Sequence, residues 1–382
     1  MQASMKLILG NGAMMSRRQF LQNGLLAGLG AGLSGSMLAA IEQNRLDAAA
    51  KILEVATAQG TVAAAALYVA QKNQEFLRSF GQATSNHAMF LLGSITKPIC
   101  VTALMTFYDR GEFRLDDSLT KFIPEFKGEG REKITIRMLL SHCSGLPDQL
   151  PENNDLRRQH AGLPIFVEHA IRAKLGFEPG AKYQYSSMGI LLACRVAEIL
   201  SGLVIHDVVA KTVFEPLKMS HSALGLGRFP FESMVACQTE RAAPESGGGD
   251  PSARNWDWNS LYWRKLGAPW GGAHCSAADV GSYLREFLER QGRVVRPETA
   301  ALMVQNQNPV GLAPRGLGLN VGAAAGSPGC SPETFGHTGS TGTLAWADPR
   351  TATICVVLTS LPGGAVKPHP REDCAAQIAE GA

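Results

Sequence analysis

The sequence predicts an α+β fold: one antiparallel sheet closed by the two ends of the chain, flanked by helices and carrying an inserted, mainly helical lobe. Three observations carry this. Near the N-terminus two apolar runs, Thr61 to Ala70 and Glu75 to Phe80, flank a polar Lys72-Asn73-Gln74 turn and read as a hairpin. Near the C-terminus, Gly336 to Ala347 and Thr351 to Ser360 read as a second hairpin joined by Asp348-Pro349-Arg350. Between the two, the apolar spacing turns helical.

Composition narrows the class of protein. The 382 residues can bury a large core, and a formal charge of +3 is too small to suggest a nucleic-acid partner. With 41 glycines and 20 prolines the chain is rich in turns. Its eight cysteines form no Cys-x-x-Cys pair and no Cys/His cluster, so no zinc site and no cofactor is expected. Cys100, Cys194 and Cys355 lie in apolar runs and read as small buried hydrophobes.

Taken in order, the chain opens with Ser16-Arg17-Arg18-Gln19-Phe20-Leu21 ahead of an uncharged stretch from Leu25 to Ala40. Paired arginines before a mildly apolar segment read as a twin-arginine export signal. The segment is too rich in glycine for a stable helix and too weakly apolar for a good membrane anchor. Residues 1–40 are therefore expected to direct the chain to the periplasm or outside the cell, with no stable membrane span beyond an uncleaved signal.

A first helix follows from Leu46 to Gln59, then the hairpin, then Leu91-Leu92-Gly93-Ser94-Ile95-Thr96-Lys97-Pro98-Ile99-Cys100. This stretch reads as the start of an amphipathic helix, with Pro98 tolerated in the first turn and Gly111 as the stop. Turns and short helices run to Pro179-Gly180. Tyr185-Ser186-Ser187 opens a helix ending at Gly202, and Ile205 to Val213 forms another. Ala243 to Asn255, full of Gly, Pro and Ser, reads as a mobile surface loop, and Trp256, Trp258, Trp263 and Trp270 cluster after it. These rings suit either a pocket wall or the core of the helical lobe. Ser276 is the expected N-cap of a helix reaching Gln291.

Ser94 and Lys97 are the first candidates for chemistry. Residues three apart share a helix face, so a hydroxyl and an amine are held side by side, as a serine nucleophile with a lysine base requires. The spacing alone is weak: Ser118-Leu119-Thr120-Lys121 repeats it after a Leu-Asp-Asp turn, where a structural role is expected. Three further features support Ser94: Tyr185 at a helix start, Gly336-His337-Thr338-Gly339-Ser340 on an expected edge strand, and Gly271-Gly272 ahead of the capped helix. His142 and His274 lie in turns without a Gly-x-Ser-x-Gly elbow and are expected to be structural.

The order Ser94-x-x-Lys97, Tyr185-Ser186-Ser187, His337-Thr338-Gly339 resembles the serine β-lactamase family of the class C type, with its penicillin-binding DD-peptidases, esterases and D-aminopeptidases. Phe113 to Asp117, Ile134 to Pro147 and Gly271 to Asp279 are similar to segments of that family, and the likeness covers about Thr61 to Ser360. It implies a β-lactamase/transpeptidase-like fold in residues 41–382, with an α/β lobe from about 45–105 and 265–382 and a helical lobe over about 106–264. It also implies a last helix closing the sheet, for which Cys374 to Ala382 is short.

By the same resemblance, Ser94 attacks a carbonyl, Lys97 and Tyr185 share its proton, and the backbone N–H groups of Ser94 and Ser340 hold the oxyanion. His337, Thr338, Gly339 and Ser187 are the expected substrate-binding residues. Two departures weigh against β-lactams. Ser187 stands where many members carry an asparagine amide, and His337 where β-lactamases carry lysine, so grip on a carboxylate would depend on protonated His337. The expected activity is therefore acyl-enzyme hydrolysis of small esters or amides, on a small-molecule or short-peptide substrate. A true β-lactamase or DD-peptidase and a non-catalytic peptide-binding module stand as alternatives.

Overall fold

The run Ala64–Gln71 forms strand β1, and its alternation decides the architecture. Ala64, Ala66, Tyr68 and Ala70 face one core, while Ala65, Leu67 and Val69 face another. A strand with apolar groups on both faces must be covered on both. The computed structural model, which describes residues 41–381, shows how.

Helix α1 (Gln43–Ala58) precedes β1, and β2 (Gln74–Gly81) returns antiparallel after a two-residue turn in which Lys72 takes φ +53°. Strand β3 (Phe90–Leu91) leads through a 3-10 turn at Gly93–Ile95 into α2 (Thr96–Asp109). The next stretch is mostly helical: α3 (Ile136–Leu140), α4 (Asn153–Arg158), α5 (Leu163–Arg172), α6 (Ser187–Ser201) and α7 (Ile205–Val209). Strand β4 (Ser222–Leu224), α8 (Leu261–Leu266) and β5 (Ala273–Cys275) follow, and β3, β5 and β4 pair into a small sheet. The chain ends with α9 (Ala277–Glu289), α10 (Pro297–Met303), β6 (Asn320–Val321), β7 (Phe335–Gly339), β8 (Thr343–Asp348), β9 (Thr353–Thr359) and α11 (Pro370–Ala379).

The main sheet runs β2-β1-β9-β8-β7-β6, antiparallel throughout, so strands from both chain ends meet at β1 and β9. Leu46, Ala49 and Leu53 of α1 pack with Cys374, Ala375 and Ile378 of α11 over one face. Val280, Tyr283, Leu284 and Phe287 of α9 cover the other. Ser276 caps α9, its Oγ accepting from Asp279 N at 3.2 Å.

Five expectations need correction. The expected Gly336–Ala347 strand is two strands, because the chain turns at Ser340-Thr341-Gly342 with Gly342 at φ +98°. Strand β7 is not the edge, since β6 pairs with it at Phe335 and Gly336. Helix α2 is not amphipathic: Thr96 through Met105 are all buried, because the helix runs through the core. Residues 243–255 are not a free loop but two 3-10 turns, with Ser246 and Ala253 buried. The closing helix α11 begins at Pro370, earlier than the Cys374 start from which it looked short. The export signal lies outside the described residues.

No single helix among the described residues is long and apolar enough to cross a membrane; α6 and the Ile205–Phe214 segment pass only together and are bent by 80°. Leu53 lies fully buried between α1 and the sheet. Leu53→Ala is expected to lower the unfolding free energy by about 2–5 kcal/mol, read as a shifted denaturant midpoint at unchanged slope.

Candidate active site

The turn before α2 is clamped on two sides. Thr341 and Thr343, flanking the β7–β8 turn, donate through Oγ1 to Leu91 O (2.7 Å) and Leu92 O (2.6 Å). From the other side, Leu92 N donates to Ala273 O (2.8 Å) and Ala273 N to Thr96 Oγ1 (3.0 Å). Only glycine fits at the contact. Gly93 holds φ +56°, and a Cβ there would lie 2.9 Å from Thr341 Oγ1 and 3.2 Å from Ser340 N. A Cβ on Gly339 would meet Leu92 O at 2.2 Å. Ser94 and Ser340 are thereby set on one cavity.

Lys97, one residue inside α2, is 1 % exposed. Its Nζ lies 3.0 Å from Ser94 Oγ and donates to Trp270 O at 2.8 Å. The ammonium also sits 4.7 Å from the centre of the Tyr185 ring. Tyr185 is held by its neighbours. Ser186 caps α6, its Oγ accepting from Gly189 N (2.9 Å) and donating to Pro147 O (2.9 Å). Ser186 N donates to His142 Nδ1 at 3.2 Å, and the His142 ring lies 4.6 Å from that of Tyr185. His142 thus supports the tyrosine, and burial holds it neutral, well below the usual histidine range. His274 is also buried, bonded to Gly225 O, and burial pushes it down to about 3.

The expected cationic grip of His337 does not fit this geometry. The ring is buried and is not part of the cavity lining. Its Nδ1 lies 2.6 Å from Thr338 O and must donate there, so Nε2 accepts from Arg315 Nη2 at 2.8 Å. Burial, with Arg315 and Lys97 nearby, holds His337 well below its ordinary range. Tyr185 Oη lies 3.5 Å from the same Nε2, which the arginine already occupies. Thr338 is exposed and Gly339 packs on Leu92; neither lines the cavity. Ser187 does line it, but its hydroxyl donates to Asp148 Oδ1 at 2.6 Å.

Sequence reasoning missed Arg315. The side chain is 2 % exposed and has no carboxylate partner among the described residues; Asn320 Oδ1, Gly318 O and His337 accept from it. Its guanidinium lies 5.4 Å from the Tyr185 ring centre, and burial pulls it below the usual arginine range. No pattern in the surrounding Pro314–Gly318 stretch announces it. Asp148, Arg157 and Glu245, which also border the cavity, were missed because they lie in stretches of turns, short helices and loop that carry no motif.

The cavity has a volume of about 190 Å³, walled by Trp258, Trp263 and Trp270. A larger hollow of about 540 Å³ beside α5 and α6 touches none of Ser94, Lys97 and Tyr185. The decoy Ser118 behaves as expected: its Oγ accepts from Thr120 N and donates to Glu132 O, and Lys121 pairs with Asp117 at 2.7 Å.

An antiparallel sheet clasped by its own termini, with a Ser-x-x-Lys turn buried against a tyrosine and the end of a sheet strand, defines a β-lactamase-fold serine hydrolase. The family model "Beta-lactamase" matches residues 39–380, and the chain belongs to that family. A relative from Salmonella agona (strain SL483), described as a "putative D-alanyl-D-alanine carboxypeptidase", is 27% identical over 308 residues, covering 73% of this chain and 71% of the relative. The D-amino acid amidase of Ochrobactrum anthropi SV3 superposes with a TM-score of 0.68 at 19% identity, covering 89% of this chain and 99% of that one. A penicillin-binding protein homologue from Pyrococcus abyssi gives 0.67 at 20% identity, covering 87% and 76%. These structural likenesses establish the fold.

Three buried neutral histidines, His142, His274 and His337, give a pH prediction. Below about pH 6.5 the unfolded chain binds protons that the folded chain refuses, so unfolding becomes easier as pH falls. The expected loss approaches about 1.4 kcal/mol per pH unit for each histidine. Thermal midpoints measured from pH 7 to pH 5 should fall steadily, and His274→Gln should flatten that slope.

Proposed function

We propose that the protein is an exported serine hydrolase that cleaves small esters or amides through an acyl-enzyme on Ser94. The observation that carries this reading is Lys97 Nζ, buried and 3.0 Å from Ser94 Oγ beside a cavity of about 190 Å³. Ser94 Oγ attacks the carbonyl while Lys97 and Tyr185 share its proton. The backbone N–H groups of Ser94 and Ser340 face the developing oxyanion, each such donor contributing roughly 3 kcal/mol in comparable sites. Tyr185 returns a proton to the leaving group, and water then attacks the ester carbon and frees Ser94.

The small cavity favours a short acyl group, since drug-sized ligand sites run to about 300–1,000 Å³. His337, neutral and outside the cavity lining, offers a substrate carboxylate no cationic grip of its own, which argues against efficient turnover of β-lactams. A DD-peptidase is the second reading, favoured by the description of the Salmonella relative. Export is supported by Arg17-Arg18 ahead of the uncharged stretch to Ala40.

A panel of p-nitrophenyl esters, D-alanyl amides and nitrocefin separates the readings. Wild type should hydrolyse the short esters or amides far better than nitrocefin and be labelled by a fluorophosphonate. Ser94→Ala should lose labelling and at least about a thousandfold in kcat; labelling that survives it rules out Ser94 as the nucleophile. For export, changing Arg17 and Arg18 together to lysine should leave the protein in the cytoplasm on cell fractionation, where the unaltered chain is found outside it.

A further inference from the structure

The peptide that joins Gly339 to Ser340 meets two different parts of the molecule. Its N–H belongs to Ser340, which lines the cavity, and has no acceptor among the described residues. Its carbonyl, on Gly339, accepts from Gly342 N (3.1 Å) and from Nη1 of Arg371 (2.7 Å). The same Nη1 donates to Thr343 O at 3.0 Å, so one guanidinium spans the β7–β8 turn. Arg371 lies in the first turn of α11, 32 residues beyond Gly339, and is buried. Its place is closely fixed. His369 Nδ1 accepts from Arg371 N (3.1 Å), which leaves the ring proton on Nε2 to donate to Leu361 O (3.1 Å). The guanidinium packs on Gly363, where a Cβ would lie 2.6 Å from Nη2, and Gly363 N donates to Ser340 O at 2.9 Å.

We propose that Arg371 is a positioning residue for the oxyanion hole: its guanidinium fixes and polarises the Gly339–Ser340 peptide, making the Ser340 N–H a stronger donor to the oxyanion formed at Ser94. This rests on the Ser94 reading above and deepens it. A peptide unit is planar and conjugated, and in the trans form its C=O and N–H point in opposite directions. A cation bonded to the oxygen draws electron density from the nitrogen, and linked hydrogen bonds strengthen one another. The bond to Gly339 O is charge-assisted, a kind about twice as strong as a neutral one.

Two simpler roles for the arginine explain less. Helix α11 gains nothing from a cation in its first turn, where the helix dipole favours Glu372 and Asp373. An ion pair does not account for it either, since Glu372 Oε1 lies 3.6 Å from Nη2 on a side chain that is 54% exposed. Burying a guanidinium whose Nε has no acceptor among the described residues is costly. The bonds that offset this cost converge on the turn that carries Ser340.

The test measures p-nitrophenyl acetate hydrolysis by wild type, Arg371→Gln and Arg371→Lys, with the folding of each variant checked by its thermal midpoint. Acylation and deacylation both pass through an oxyanion, so a weaker hole slows both and leaves KM in place. Arg371→Gln should lose at least about fivefold in kcat with KM within about twofold of wild type. Arg371→Lys, which keeps the charge, should stay within about twofold in both. Phenylboronic acid, whose tetrahedral adduct on Ser94 puts an oxygen in the same hole, should inhibit Arg371→Gln more weakly by the factor that kcat falls. An unchanged kcat in Arg371→Gln, a loss carried mainly by KM, unaltered boronate inhibition, or an equal loss in Arg371→Lys overturns the proposal. If Arg371→Gln fails to fold, Gly363→Ala decides, because its Cβ displaces the guanidinium while the charge stays in the protein. It should lower kcat by at least about threefold at constant KM, and an unchanged kcat overturns the assignment. An active wild type with an indifferent Arg371→Gln overturns the role of Arg371 alone. Wild type that neither hydrolyses the ester nor is labelled by a fluorophosphonate overturns the Ser94 reading and this proposal with it.

Discussion

The burial of one ammonium group organises this protein's site. Lys97 is 1 % exposed and has no carboxylate partner among the described residues. Removing a charge from water costs several kcal/mol even after relaxation, so the fold must supply other acceptors. It supplies the carbonyl of Trp270, the hydroxyl of Ser94 and the face of the Tyr185 ring. Each comes from a different part of the chain: the turn before α2, the segment before α6, and the approach to β5. A single charge therefore fixes the relative placement of three segments that share little else, and those segments border the cavity.

A second buried cation repeats the arrangement on the same tyrosine. Arg315 reaches the Tyr185 ring at 5.4 Å and occupies the free lone pair of His337. The histidine, which would otherwise bring a titrating group to the site, is kept neutral and turned into a spacer between strand β7 and the arginine. Two buried basic side chains, Lys97 and Arg315, thus contact the same Tyr185 ring. Preorganised positive potential of this kind stabilises negative charge that develops during reaction more than it stabilises a neutral ground state.

What could be read in the sequence follows from the range of the forces involved. Strands β1 and β9 were legible as short apolar runs beside polar turns, and the cap at Ser276 because a serine before Ala-Ala-Asp acts over three residues. Gly93-Ser94-Ile95-Thr96-Lys97 was legible because its chemistry is local and its glycine is demanded by a positive φ. The misreadings come from long-range contacts. Residues 243–255 look like a loop by composition, yet Arg157, in α4 and 88 residues before Glu245, holds Glu245 O. Gly339-Ser340-Thr341-Gly342 carries turn residues that were read as strand, and its bend is held by threonine bonds to Leu91 and Leu92. The identity of His337 was visible, but its burial and its arginine were not, because Arg315 reaches it only across the fold.

Ser94-Lys97 and Ser118-Lys121 share spacing and residue types, and their difference isolates what the motif needs. Lys121 is 55% exposed at its side chain and paired with Asp117, which holds that carboxyl below its ordinary range. Its ammonium is thus engaged in a half-exposed surface ion pair, of the kind that contributes little to stability. Ser118, meanwhile, uses its hydroxyl on Thr120 N and Glu132 O to close a turn. Lys97 is buried with no carboxylate partner among the described residues, and Ser94 Oγ is the hydroxyl placed at its Nζ. The sequence motif states which atoms are available. What separates the two copies is the burial of one of them against Trp270, Tyr185 and the clamped turn at Gly93.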